Sequence, residues 1–236
     1  MGRIFEVRKH KMFARYSKIS KQFARISKDV FMAVKASGAN PDNNPRLRAA
    51  MQNAKAVNMP KDRLDAAIKK AISKDEKDLE IITYEGYGPY GIAVLVEAAT
   101  DNSTRTVANI RMYFNKYNGS LGVSGSVSFM FDHKCNFRVK LKTEMSAEDL
   151  ELELIDFGCE ELVVEGDELI IYGPFDAFGK LQSYFEEHNY EIIESSFDRI
   201  PTMTKKLPQE QVDEVNKMLD KIEDDEDVQN VYSTME

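Results

Sequence analysis

The spacing of apolar residues changes from a helical to a strand-like period near residue 80. Before that point Ile19, Phe23, Ile26 and Val30 lie three or four residues apart, which is typical of one face of an amphipathic helix. After it, residues 92–97 form an almost continuous apolar run, which predicts a strand buried on both faces. The chain therefore joins a helical region to a region of strands and helices.

Three helices are predicted in the first region. The first covers residues 17–36 and is stopped by Gly38. Asn44 and Pro45 supply the N-cap and first position of a second helix, and Pro60 begins a third. Residues 1–16 are cationic and lack a regular apolar repeat, so we expect them to form an arm. Short helices with brief connections predict a small bundle.

The second region predicts two α/β domains, one inserted in the other. Residues 133–205 show the order βαββαβ, which is that of the ferredoxin-like fold. The flanking residues 80–132 contain strands, including one at 127–131, and a helix at 104–117. The last helix and strand, within 206–236, cannot bury themselves alone, so we expect them to complete that sheet.

The predicted fold is therefore an α+β multidomain protein. An N-terminal three-helix bundle, residues 1–79, precedes two ferredoxin-like-type α/β domains. One of these comprises residues 80–132 plus 206–236, and the other, residues 133–205, is inserted in it.

Charge is divided between these regions. Residues 1–79 hold 19 Lys and Arg against 8 Asp and Glu, whereas residues 80–236 hold 13 against 32. The formal charges are +11 and −19, which together give the net −8 of the chain. Such asymmetry predicts a polyanionic partner for the basic region.

The basic residues of the helical region are the candidate nucleic-acid contacts. A solvated helical surface is the alternative interpretation, but solvated faces usually mix both signs, and residues 1–28 hold nine cations and one acid. Such side chains bind phosphates and position a protein without reading bases. The candidates are Arg8, Lys9, Lys11, Arg15, Lys18, Lys21, Arg25, Lys28, Arg46, Arg48, Lys55, Lys61 and Arg63.

Other classes of site have little support in the sequence. Cys135 and Cys159 lack metal-ligand or disulfide-motif spacing and are expected to be reduced thiols, and no metal is expected. The glycines of residues 86–91 match the letters of a dinucleotide motif, but they lead into a strand instead of a helix, so we expect a turn and no cofactor. Carboxylates form no acid/base set with His or Lys at useful spacing, so we expect no enzyme activity.

Two loop features leave alternatives open. Arg105 falls in the first turn of the helix after Asn102, where the helix dipole disfavours a cation; pairing with Asp101 is favoured over another requirement for it there. The glycine-rich loop at 118–126 has no acidic residue and could offer backbone N–H groups to phosphate, although plain loop geometry is favoured.

Several stretches resemble the YebC/PmpR family, whose eukaryotic relatives include the mitochondrial translational activator of cytochrome c oxidase subunit I. The matching stretches are Asn44-Pro45-Arg46-Leu47-Arg48, Asn58-Met59-Pro60-Lys61-Asp62, Tyr84-Glu85-Gly86-Tyr87-Gly88-Pro89, Thr100-Asp101-Asn102 with Arg105-Thr106, Gly125-Ser126-Val127 and Asp227-Val228-Gln229-Asn230-Val231-Tyr232. The resemblance implies one helical and two α/β domains. It also indicates a second candidate set, a functional loop: Tyr84, Glu85, Gly86, Tyr87, Gly88, Pro89, Asp101, Asn102 and Arg105.

The chain departs from the family pattern in two places. It opens Met1-Gly2-Arg3-Ile4-Phe5 where the family usually has Gly-His-Ser-Lys-Trp, and it contains no tryptophan. The loop Gly88-Pro89-Tyr90-Gly91 replaces the usual Gly-Pro-Gly-Gly.

The resemblance implies a cytoplasmic DNA-binding transcriptional regulator, and other family members are described as ribosome-associated factors that assist synthesis through proline-rich stretches. DNA and ribosomal RNA are therefore both expected partners of the basic region. The acidic domains would contact ribosomal or regulatory proteins. No apolar run is long enough to cross a bilayer, so no membrane contact is expected, and we expect a monomer.

Overall fold

The structure, a computed structural model, describes residues 3–73, 76–142 and 146–236, with side chains from residue 19 onward. Its helices and strands confirm the predicted α+β multidomain fold. In chain order they are α1 (Arg3–Ser37), α2 (Pro45–Ala56), α3 (Lys61–Ile72), β1 (Glu80–Tyr87), β2 (Ala93–Thr100), α4 (Ser103–Lys116), β3 (Ser120–Leu121), β4 (Phe131–Lys140), α5 (Ala147–Ile155), β5 (Glu161–Glu165), β6 (Glu168–Pro174), α6 (Phe178–Glu187), β7 (Ile192–Pro201), α7 (Gln209–Glu223) and β8 (Val228–Ser233).

Helix α1 is longer than the sequence predicted. It begins at Arg3, so the expected arm at residues 1–16 was wrong for residues 3–16, which continue the helix. These residues lack an apolar stripe, but many are Arg, Lys, Met or Ala, which favour helix in any case. Intrinsic propensity, and not periodicity, extends α1 toward the N-terminus.

Asn44 joins the end of α1 to the start of α2. Its buried side chain accepts a hydrogen bond from the Leu47 N–H at 3.0 Å, which confirms the predicted N-cap. The same amide donates to the carbonyls of Ala33 and Gly38, each at 2.8 Å. One side chain therefore satisfies backbone groups on both helices and fixes the turn between them.

The chain forms two compact units. The first comprises Met1–Glu76 and Asn136–Ser196, and the second comprises Lys77–Cys135 and Phe197–Glu236. The boundaries fall within β4 and β7. The predicted boundaries of three domains divide the chain more finely, and they stay a prediction.

The sheet formed by residues from 131 to 201 has the strand order β5-β6-β4-β7. With α5 and α6 in the two connections, this is the ferredoxin-like topology that the sequence predicted. Its edge strand β5 pairs antiparallel with β6, from Glu161 opposite Tyr172 to Glu165 opposite Glu168.

The other sheet has the order β3-β1-β2-β8, and each pair in it is antiparallel. β8 pairs with β2, which confirms that the C-terminal strand completes this sheet. One sheet face packs on α4 and α7 through Val94, Val96, Phe114 and Met218. On the opposite face, Leu95 packs against the segment that follows β3.

The predicted strand at residues 127–131 was wrong. Ser128–Met130 forms a single 3₁₀ turn, and β4 begins at Phe131. The N–H groups of Val127 and Ser128 donate to the carboxylate of Glu85 and not to a neighbouring strand. The Glu85 side chain thus takes the backbone N–H groups that would otherwise pair with a neighbouring strand.

Candidate nucleic-acid interface

The structure describes the side chains of eight of the thirteen predicted cationic contacts. Lys21, Arg25 and Lys28 are half-buried on α1. The side chains of Arg8, Lys9, Lys11, Arg15 and Lys18 lie outside the described residues. Exposed side chains belong to Arg46, Lys55, Lys61 and Arg63, on α2 and α3.

Three of the exposed cations flank the connection between α2 and α3. Lys55 is in the last turn of α2, while Lys61 and Arg63 are in the first turn of α3. The Arg63 guanidinium lies 5.5 Å from the centroid of the Phe23 ring, which anchors it over α1. This turn therefore places positive charge where a polyanion can reach it.

Arg48 forms an ion pair with Glu186 in the same compact unit. Its Nε and Nη2 donate to the two carboxylate oxygens of Glu186 on α6, both at 2.9 Å. Its Nη1 donates to the carbonyls of Pro41 and Asp42. Hydrogen bonding to Glu186 raises the pKa of Arg48, while burial opposes the rise. Arg48 therefore links α2 of the helical bundle to α6 of the ferredoxin-like domain.

A second contact links α2 to an edge strand of the ferredoxin-like sheet. The side chain of Asn53 accepts from the Ser195 N–H at 2.9 Å and donates to the Ser195 carbonyl at 2.7 Å. Because Ser195 lies on the edge strand β7, Asn53 occupies backbone groups that an edge otherwise exposes. Asn53 was not among the predicted site residues; the signal available in the sequence was an Asn inside a helix, where its propensity is poor.

We expect Arg48→Ala to destabilise the protein by about 1.5 kcal/mol, because it removes a bidentate, partly buried ion pair. Arg46→Ala is the matched control, since Arg46 lies two residues earlier on α2 and is exposed. Urea denaturation followed by far-UV circular dichroism measures both changes. Equal unfolding midpoints for the two variants would contradict a structural role for Arg48.

The second candidate set does not form one loop in space. Tyr84 and Glu85 are neighbours on β1, so their side chains point to opposite faces of the sheet. β1 pairs antiparallel with β2, which places Tyr87 opposite Ala93 at one end and Glu80 opposite Thr100 at the other. Residues 85–89 and the group Asp101, Asn102 and Arg105 therefore lie toward different ends of β2.

Glu85 organises the glycine-rich loop. Its carboxylate is buried and accepts hydrogen bonds from the backbone N–H groups of Gly125, Val127 and Ser128 at 2.8, 2.8 and 2.7 Å. Burial alone would raise the pKa of Glu85, but these hydrogen bonds together lower it. The N–H groups that could have met a phosphate already hold an internal anion, which agrees with the plain-loop interpretation.

The glycines beside Glu85 meet close neighbours. A Cβ placed on Gly86 would lie 2.5 Å from the Ser120 carbonyl oxygen, and one on Gly88 would lie 2.6 Å from Met218 Cε. Tyr87 donates through its hydroxyl to the Ser126 carbonyl at 3.4 Å. Pro89 is buried. These residues let the strand and loop pack closely.

Arg105 pairs with Asp101 at 3.1 Å, as the sequence favoured, and also with Asp227 at 2.8 Å. Asn102 caps α4 by accepting the Arg105 N–H at 3.1 Å. The Thr106 hydroxyl lies 2.8 Å from the Asp227 carboxylate. Hydrogen bonding to Asp227 is the largest cause that raises the pKa of Arg105. Asp227 opens one of the family-matching stretches but was not among the predicted site residues; it holds the start of α4 against the segment before β8.

Tyr84 lies near the residues that surround Asp227. It is buried, and burial is the main cause that raises the pKa of its hydroxyl. The negative charge of Asp227 raises it further, while the Thr106 hydroxyl lowers it. The candidate loop thus divides into one cluster around Glu85 and another around Asp227.

Tyr90 occupies the place where the related pattern has glycine. Its φ of 61° lies in the left-handed region that favours glycine. Lys205 donates to its carbonyl at 2.6 Å, and its hydroxyl donates to Glu214 on α7. These contacts hold a non-glycine residue in a strained backbone conformation.

Neither a metal-binding cluster nor a membrane-spanning helix is found in the described part of the chain. Within residues 3–73, 76–142 and 146–236 there is no group of three or more His, Cys, Asp or Glu side chains able to hold a metal ion. Among the helices of those same residues, none has the length and apolar character of a membrane span.

Comparison with known proteins places the chain in a class and then in a family. A solved structure of a conserved hypothetical protein, Aq1575 from Aquifex aeolicus, has a TM-score of 0.76 and 34% identity, covering 92% of this chain and 90% of its own. The chain therefore shares its α+β multidomain fold with Aq1575. Family models of the TACO1/YebC N-terminal domain and of its second and third domain match residues 3–74 and 79–235.

Relatives match along the whole chain. A protein of Flavobacterium johnsoniae is 56% identical over 235 residues, which cover 100% of this chain and 99% of its own. One of Anaeromyxobacter dehalogenans is 46% identical over 240 residues, with 100% of each chain covered. Both are named probable transcriptional regulatory proteins. The chain belongs to the TACO1/YebC family, which confirms the resemblance seen in its motifs.

Proposed function

We propose that this protein is a DNA-binding transcriptional regulator that grips the phosphate backbone with its basic helical region. The observation that carries the proposal is the division of charge, +11 in residues 1–79 and −19 in residues 80–236. The names of the relatives support a role in regulating gene expression.

The described cations support backbone binding in particular. Lys55, Lys61 and Arg63 surround one exposed turn, and long cationic side chains on a helical surface neutralise phosphates without recognising bases. The acidic region repels the same backbone, so it limits the orientations in which DNA can approach. Affinity should consequently depend strongly on salt and weakly on sequence.

Neutralising the exposed turn tests this proposal. Lys55→Gln with Lys61→Gln should weaken binding to duplex DNA about 30-fold at physiological salt and reduce the slope of log affinity against log salt by about 1.8. Fluorescence anisotropy with two unrelated duplexes measures both quantities. The loss should be the same for each duplex, because phosphate contacts carry no sequence information.

A matched control changes the same charge elsewhere. Lys140→Gln with Lys206→Gln removes two exposed cations from the acidic region and should leave DNA affinity within about twofold. If the Lys55 and Lys61 variant keeps full affinity and slope, the proposed surface is wrong. If it binds DNA normally but no longer sediments with ribosomes, the partner of this surface is ribosomal RNA and the proposal is overturned.

A further inference from the structure

The two edges of the ferredoxin-like sheet differ. On the β7 edge, both backbone groups of Ser195 are already paired with the side chain of Asn53. The β5 edge has no neighbouring strand among the described residues. An edge strand exposes a row of backbone donors and acceptors that another extended chain can pair with.

The open edge carries exposed apolar side chains. Val163 and Val164, in the middle of β5, are 40% and 51% exposed. On α5, which packs against β5, Leu152 and Ile155 are 68% and 55% exposed. Small soluble proteins usually protect an open edge or cover its apolar residues. This combination is typical of a surface that another chain covers.

The charge of this edge indicates what kind of partner segment would cover it. Residues 143–179, which contain α5, β5 and β6, hold 12 Asp and Glu and no Lys, Arg or His. Glu161 and Glu165 flank the valines on β5, and both are exposed. Arg138 on β4 reaches this region, and its guanidinium lies 3.6 Å from Glu165 and 3.4 Å from Glu168. The edge as a whole stays strongly acidic.

The same charge excludes pairing between two copies of this edge. Two β5 strands side by side would bring Glu161 and Glu165 of each copy close together, and like charges across a strand pair repel. A basic strand gains from the same side chains. We propose that the β5 edge binds an extended, Lys- or Arg-rich segment of a partner protein, which adds a fifth strand to the sheet. Its basic side chains lie on the face of Glu161 and Glu165, and its apolar side chains lie on the opposite face beside Val164.

A defined peptide tests this inference on the full chain. The probe is a synthetic peptide of about nine residues that alternates Lys and Val, long enough to pair with a strand of ordinary length. Hydrogen exchange should show new protection at amides of residues 161–165. The same peptide with a central Pro should bind at least about tenfold more weakly, because Pro lacks the N–H and breaks the pairing.

Charge reversal on the edge provides the second arm. Glu161→Lys with Glu165→Lys should lower affinity for the Lys-Val peptide about tenfold or more, since both cross-strand attractions become repulsions. Glu210→Lys with Asp220→Lys, on exposed positions of α7, makes the same change in net charge away from the edge and should have little effect. Both variants alter exposed side chains only, so each is expected to fold.

Three outcomes would overturn the inference. Equal loss of binding in the two charge-reversal variants would mean that only net charge attracts the peptide. Equal binding of the Pro-containing peptide would exclude strand pairing. Protection of residues 161–165 that rises with protein concentration and needs no peptide would identify a second copy of this chain as the occupant.

Discussion

Glu85→Ala should destabilise the protein by about 4 kcal/mol. The substitution leaves the N–H groups of Gly125, Val127 and Ser128 without the carboxylate to which they now donate. Hydrogen bonds to a charged acceptor each contribute about 1.5 to 3 kcal/mol, and a buried unsatisfied donor costs about 1 to 3 kcal/mol. Urea denaturation of the full chain measures the loss, and hydrogen exchange at those three amides shows where it arises.

Glu80→Ala is the control for this variant. Glu80 begins the same strand and is exposed, so its removal should change stability by no more than about 0.5 kcal/mol. If Glu85→Ala unfolds at the same urea concentration as Glu80→Ala and its loop amides stay protected, Glu85 does not hold the loop.

The lowered pKa of Glu85 also sets the direction of a pH effect. A carboxyl whose pKa is lower in the folded than in the unfolded state stabilises the fold above its unfolded pKa. That contribution disappears as the pH falls through the folded-state pKa. The wild-type protein should therefore lose stability in acid more steeply than Glu85→Gln, which has no titrating group at this position.

Local signals in the sequence predicted much of the fold. Asn44 before Pro45 predicted the start of α2, and the order of apolar periods predicted the ferredoxin-like topology. Both depend on residues close together in the chain. The strand predicted at 127–131 failed because the groups that compete for its N–H donors lie on Glu85, 42 residues from Val127.

The candidate site was less predictable for the same reason. Arg48 matches a phosphate-binding pattern, yet its carboxylate partner, Glu186, lies 138 residues away and is brought close only by the fold. Arg105 shows the intermediate case. The pairing of Arg105 with its neighbour Asp101 could be predicted from the sequence, whereas its pairing with Asp227, 122 residues away, could not. Tertiary contacts decide which cations remain on the surface for a polyanion.

Asp227→Ala should destabilise the protein by about 3 kcal/mol, because Asp227 is a buried carboxylate that accepts the Thr106 hydroxyl and the Arg105 guanidinium. A carboxylate can only accept, so the Thr106 hydroxyl loses its charged acceptor inside the core. Arg105→Ala should cost less, since half of that side chain already lies in solvent. Hydrogen exchange should show greater opening of β8, whose first residue follows Asp227.

Asp101→Ala separates the two partners of Arg105. The Asp101 side chain is 37% exposed and that of Asp227 is 10% exposed, so water replaces the first partner readily and the second poorly. The double variant Arg105→Ala with Asp227→Ala should be less destabilised than the sum of the single variants, because the two groups contact each other directly. Strict additivity, or equal effects of Asp101→Ala and Asp227→Ala, would show that Asp227 does not hold α4 against the segment before β8.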